Sequence, residues 1–271
     1  MRQALASVVG VVALAGCGGG DVDADVVLSQ TAAKLSKLKS AQSLHLKVLV
    51  EPRDDEPFGF EIEGPFALCD GQALPRMDVL YTQTANGEEA SVRLISTGEQ
   101  GYVAVGDTAY ELRNDQEADL RSVCDDLGGD GGLTQLDVGD WVRDPDGSRD
   151  GDVNEVTGDL DVVAVVNDLV DVARAFGGSQ LQRLDRDDAQ RIAEATEESH
   201  FELESGHEDR LLRALRLGAE LGLDVPDDLK KALGDVVGAT FTFELDLEEP
   251  NTPVQVHAPA NPRPSGELPG G

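Results

Sequence analysis

Aromatic residues make up only 4% of this 271-residue chain, and tryptophan occurs once. A core must therefore come mainly from Val, Leu and Ala, which the 40% hydrophobic fraction supplies. Cations are scarce as well: 22 Lys and Arg stand against 53 Asp and Glu, for a net charge of −31. Such a charge repels nucleic acid and anionic headgroups, so neither a nucleic-acid partner nor a polybasic membrane patch is expected. The four histidines, His45, His200, His207 and His257, lack His-x-x-x-His spacing, and the three cysteines lack Cys-x-x-Cys. No metal centre and no cofactor is expected from them. A Gly-x-Ser-x-Gly elbow, a phosphate loop and a dinucleotide fingerprint are all missing, and carboxylates are too abundant to single out an acid–base pair. The expectation is a protein that is not an enzyme.

No apolar run is long enough to cross a bilayer of about 30 Å as a helix. The run from Ala4 to Ala15 follows a single cation, Arg2, and has the length of a signal-peptide core. It ends in Leu14-Ala15-Gly16-Cys17, the box at which bacteria cut a lipoprotein precursor and lipidate its cysteine. Small residues at 15 and 16 suit the peptidase, and the Cys17 thiol can take a diacylglyceryl group through a thioether. Residues 1–16 thus read as a signal peptide, and 17–25, rich in Gly and Asp, as a lipidated flexible tether. Palmitate-like chains on Cys17 would hold the protein to the extracytoplasmic face of the cell membrane, since two or three chains anchor firmly where one does not. Once Cys17 is lipidated, Cys69 and Cys124 remain as an even pair in an exported protein, and a disulfide is the natural reading. It would close a loop of about 55 residues and contribute about 4 kcal/mol on the chain-entropy view.

Residues 26–259 read as one domain. Val26 to Lys39 has the spacing of a short amphipathic helix, broken at Ser40 to Ser43. Leu44, Leu46, Val48 and Val50 then alternate with polar or solvent-side positions, and Phe58, Phe60 and Ile62 repeat the pattern. Further short strands around 66–68, 77–82, 91–95, 101–105 and 108–112 are separated by Gly, Asn and Asp turns, which makes an antiparallel sheet the economical arrangement. Trp141 reads as a packing anchor, and Leu160 to Phe176 as a helix apolar over a wide arc. Asp187 to Glu198 reads as a second, acidic helix. Arg210 to Leu217 is open between helix and bent strand. Phe241, Phe243, Leu245 and Leu247 give the clearest strand, and 260–271, rich in Pro and Gly, reads as a disordered tail.

The order of these features carries a resemblance: lipobox, entry helix ending Lys37-Leu38-Lys39-Ser40-Ala41-Gln42-Ser43-Leu44-His45-Leu46, sheet meander, Asp140-Trp141-Val142-Arg143-Asp144-Pro145, and Thr157-Gly158-Asp159-Leu160-Asp161-Val162 opening a helix. A final strand ends Pro253-Val254-Gln255-Val256-His257-Ala258-Pro259. The chain resembles the actinobacterial LppX/LprAFG lipoproteins, relatives of the LolA and LolB lipid carriers. The resemblance implies an α+β fold in which a strongly curved antiparallel half-barrel wraps around helices and encloses an apolar cavity for acyl chains. It implies binding or shuttling of lipids or acylated glycoconjugates in the cell envelope, by a monomer. The inward rows expected to line the cavity are Leu44, Leu46 and Val48, then Phe58, Phe60 and Ile62, then Phe241, Phe243 and Leu245. At about 0.8 kcal/mol per buried methylene, two or three chains could be held without a charged contact.

Two other readings stand beside this one. The same rows could fill a solid core, leaving a structural or interaction lipoprotein that docks an envelope partner through its acidic face. Asp144 to Asp152 places oxygens at alternate positions with Glu155 twelfth, as a calcium loop would, although Arg149 occupies the position that needs Gly.

Overall fold

The computed structural model describes residues 20–268 except 36, 54, 70, 119, 122–137, 176–182 and 223–237. Eleven strands form one open antiparallel sheet in the order β6-β5-β4-β3-β2-β1-β11-β10-β9-β8-β7. β1 (Ser40–Pro52), β2 (Phe58–Ala67), β3 (Arg76–Ala85), β4 (Glu88–Thr97), β5 (Gly101–Val105) and β6 (Thr108–Glu111) run as a meander to one edge. β7 (Val142–Asp150), β8 (Val153–Leu160), β9 (Thr196–Gly206), β10 (Leu212–Leu221) and β11 (Ala239–Glu248) run as a second meander from the other edge. The two join where β1 pairs with β11 over ten residues, from Ser43 opposite Glu248 to Pro52 opposite Ala239. The expected α+β fold with a large antiparallel sheet is thus the observed one.

The register explains why one face is buried. Ile62, Leu46, Leu245, Leu215, Leu203 and Val156 stand side by side across six strands. Phe60, Val48, Phe243, Leu217 and Phe201 form the next row on the same side. Between them, on the other side, run Glu61, Lys47, Glu244, Arg216 and Glu202, a row of alternating charge. Side chains alternate faces along a strand, so an apolar period of two in each strand builds a continuous apolar wall. Arg210 to Leu217, open between helix and strand, resolves accordingly. Leu215 and Leu217 are 6% and 4% exposed, and their period matches that of Leu203 and Phe201 next door.

Helices cover part of the apolar face. α1 (Ala24–Leu35) starts with Asp23 Oδ1 accepting from the Val26 backbone N–H and packs on β7, β8 and β10. α2 is Val162–Ala175, and α3 is Arg186–Ala195, with Asp185 capping it by accepting from the N–H groups of Asp187 and Asp188. The expected break at Ser40 to Ser43 is instead the start of β1, and the acidic helix stops at Ala195, where β9 begins. The entry to α1 rests directly on the sheet: the Val22 N–H donates to Gly147 O at 3.2 Å, and a Cβ at Gly147 would lie 2.5 Å from Val22 O.

The chain after β11 lies along the fold, first at residues 252–254 of the expected domain and then within the stretch 260–271 expected as a disordered tail. Ser40 Oγ donates to Thr252 O, Gln42 Nε2 donates to Pro253 O, and Val254 is 3% exposed. Farther on, Arg263 bridges Tyr110 in parallel: its N–H donates to Ala109 O, and its carbonyl accepts from the Glu111 N–H. The segment therefore covers part of β6, an edge whose free backbone groups would otherwise invite pairing with another chain. Proline carries no N–H, which suits a strap that makes few ladder bonds.

The Asp144 to Glu155 segment is likewise not a calcium loop. It is the β7–β8 hairpin, with Ser148 opposite Glu155 and Asp150 opposite Val153. Its residues lie along two paired strands rather than around a loop between helices, and among the described residues no set of three ligand atoms close enough for one ion forms there.

Candidate functional site: an apolar cavity between sheet and helices

Between the apolar wall and the helices lies a cavity of about 280 Å³ whose exposed lining is wholly apolar. Its floor is the centre of the sheet: Leu46 of β1, Leu203 of β9, Leu215 and Leu217 of β10, and Phe243 and Leu245 of β11. Leu212 and Phe241 extend the floor. Its roof is Thr31 and Leu35 of α1, Val165 of α2, and Val138 and Trp141 of a 3-10 turn (Val138–Trp141). Trp141 is 3% exposed, and its indole N–H donates to Asp168 Oδ2 at 2.8 Å. That bond leaves the ring's carbon surface to close the roof and ties the turn to α2. A space bounded by Leu, Phe, Val and Trp can hold hydrocarbon, because the surface it exposes is apolar.

One polar atom of the roof lacks a partner. Thr31 is 1% exposed, and its Oγ1 makes no hydrogen bond. Asn154 Nδ2 and Ser205 Oγ are also buried without a partner, and Ser205 stands across the ladder from Leu212.

Four of the nine residues expected to line the cavity do so: Leu46, Phe241, Phe243 and Leu245. Leu44 instead lines a separate apolar pocket of about 100 Å³ with Leu38, Phe66, Leu68 and Leu247. Val48 and Phe60 border a pocket on which Lys47, Glu51, Glu61 and Glu89 also lie. Phe60 stacks on Tyr81 with ring centroids 6.2 Å apart, Phe58 is 38% exposed, and Ile62 is half-buried away from the cavity. The reason is coverage: α1 packs on β7, β8 and β10, so the correct face of β2 lies beyond the helical roof. The sequence reading missed the β10 leucines and Leu203. Their period-two spacing was the available signal, obscured by the charges at Arg210, Arg213 and Arg216.

Cys124, the expected disulfide partner of Cys69, and the lipidation residue Cys17 lie outside the described residues.

The opposite face of the sheet is ionic. Arg216 donates to Glu202, to Glu204 at 2.8 Å and to Asp246 at 2.8 Å, and these carboxylates raise its pKa further. Beside it, His45 Nε2 lies 2.8 Å from Glu61 Oε1, and Nδ1 lies 3.5 Å from Asp246 Oδ2. Burial alone would lower the His45 pKa, but the hydrogen bonds to Glu61 and Asp246 and the charges of Glu61 and Glu63 raise it above the ordinary value of about 6.5. His45, Glu61 and Glu63 also bring three potential ligand atoms within 4.8 Å of one another, so among the described residues this is the set able to touch a cation. The histidine spacing gave no hint of it, because the carboxylates come from a neighbouring strand.

No family model matches the chain, and no curated protein does. Among solved structures it is similar to that of LprF from Mycobacterium bovis, with 13% identity and a TM-score of 0.40 over 89% of this chain and 100% of that one.

Proposed function

We propose that this protein is a membrane-tethered carrier that binds or shuttles lipid, including acylated glycoconjugates, in the cell envelope. The observation that carries the reading is the cavity of about 280 Å³ between sheet and helices with a wholly apolar exposed lining. A monomer held by lipid on Cys17 at the extracytoplasmic face of the membrane, with Cys69 paired to Cys124, completes it. No chemistry is assigned to it: the ligand enters and leaves unchanged, and burial of its methylenes supplies the affinity.

The test is occupancy with the cavity open and filled. Leu46 lies at the centre of the floor, and Leu46→Trp inserts an indole into the space. Lipid extracted from the purified wild-type protein should exceed that from folded Leu46→Trp at least tenfold. Equal lipid in both would remove the cavity from the account.

A further inference from the structure

The ionic face of the sheet carries a constellation of its own, on the side away from the cavity. The ladder sets it: His45 of β1 stands opposite Glu63 of β2 and opposite Asp246 of β11, and Glu61 lies on the same face as Glu63, two residues along. These strands are central in the sheet, so backbone pairing on both sides fixes where the four residues start. The geometry points to a divalent transition-metal site, for Zn²⁺, in which His45 Nε2, one Glu61 oxygen and one Glu63 oxygen are the ligands, a solvent molecule is the fourth, and Asp246 orients the ring.

His45 Nε2 is 2.8 Å from Glu61 Oε1, and the three ligand atoms all lie within 4.8 Å of one another. Zinc bonds of about 2.0–2.2 Å set tetrahedral ligand atoms about 3.4 Å apart, so rotation of two glutamates that reach solvent is enough to close the set. The other ring nitrogen is held from behind: Nδ1 lies 3.5 Å from Asp246 Oδ2, and Asp246 Oδ1 accepts from Arg216 Nη2 at 2.8 Å. A carboxylate in that position fixes the tautomer that leaves Nε2 free for a metal, as the partners of metal-binding histidines usually do. Charge balances as well. Glu61 and Glu63 neutralise a dication, Asp246 has Arg216, and the proton between Nε2 and Glu61 leaves to solvent when the ion enters. An imidazole with two carboxylates suits zinc, whereas calcium takes about six to eight oxygens and magnesium keeps several waters.

The test is Zn²⁺ binding by the metal-stripped Cys17→Ser chain, read by competition with a chromophoric chelator. One equivalent should bind and resist an excess of Mg²⁺. Affinity should fall at least tenfold in His45→Gln and in Glu63→Gln, and about tenfold in Asp246→Asn, the usual cost of losing the group behind a ligand. Glu208→Gln, an exposed carboxylate in the β9–β10 turn, should leave affinity unchanged. Co²⁺ in place of Zn²⁺ should give the strong visible absorption of a four-coordinate ion, a readout that needs no variant. Zinc that Mg²⁺ displaces, or that binds wild type and His45→Gln equally, would belong to the chain's general negative charge and overturn the site. The weak spectrum of hydrated Co²⁺ would overturn it too. Either result leaves the carrier reading untouched, because the cavity lies on the other face.

Discussion

Thr31 shows how little separates a core residue from a site residue in this fold. Its hydroxyl is buried without a partner, at a cost of about 1–3 kcal/mol that an apolar isostere avoids. Thr31→Val should therefore raise the melting temperature of the delipidated protein, by an amount worth about 1 kcal/mol, as measured by thermal unfolding. A lower melting temperature would mean that the hydroxyl has a partner in solution. His45 behaves differently, because Glu61 and Asp246 flank its ring and favour the charged form. With its folded pKa raised, it adds stability that is complete below about pH 6.5 and is lost as pH rises through the folded value. The stability difference between wild type and His45→Gln, measured by denaturant unfolding from acid to alkaline pH, should favour wild type most at the acid end and shrink upward through neutrality. A difference independent of pH would show that the ring is neutral throughout.

Among the elements, α1 has the most at stake. It roofs the cavity, and its entry is fixed by backbone contact at Gly147 rather than by a large side chain. Gly147→Ala must push that entry away, because its Cβ would sit 2.5 Å from a carbonyl oxygen. A loss of about 1–3 kcal/mol is expected in denaturant unfolding, the usual cost of overpacking. An unchanged stability would mean that α1 docks independently of β7. Strand identity was legible wherever apolar residues alternated cleanly, as in Leu44 to Val50 and Phe241 to Leu247. It was ambiguous at Arg210 to Leu217, because Arg216 answers three carboxylates on the outer face and so places a charge inside a strand. The tail was misread because composition reports whether a segment can build a core, and says nothing of whether it can lie on one already built.

At the scale of the whole molecule, the antiparallel sheet followed from many short strands with close turns. Its pairing order did not, because β1 meeting β11 depends on contacts about 200 residues apart along the chain. The cavity was half legible for the same reason. Period two assigns residues to a face, but the position of the helical roof decides which part of that face stays unfilled. Leu46, Phe243 and Leu245 lie under the roof, and Phe58, Phe60 and Ile62, equally apolar, do not. On the outer face Glu61, Glu202, Glu204 and Asp246 hold His45 and Arg216. These charges keep that face wet while the other side stays dry.

The central claim is that the dry side is an open space with a lipid in it. Native mass spectrometry of the Cys17→Ser chain, purified from an actinobacterial host and weighed before and after organic extraction, tests it most directly. The account predicts a mass excess that extraction removes and that is identified as an acylated lipid. A clean mass that persists after incubation with envelope lipids would contradict it and leave a filled core in the cavity's place.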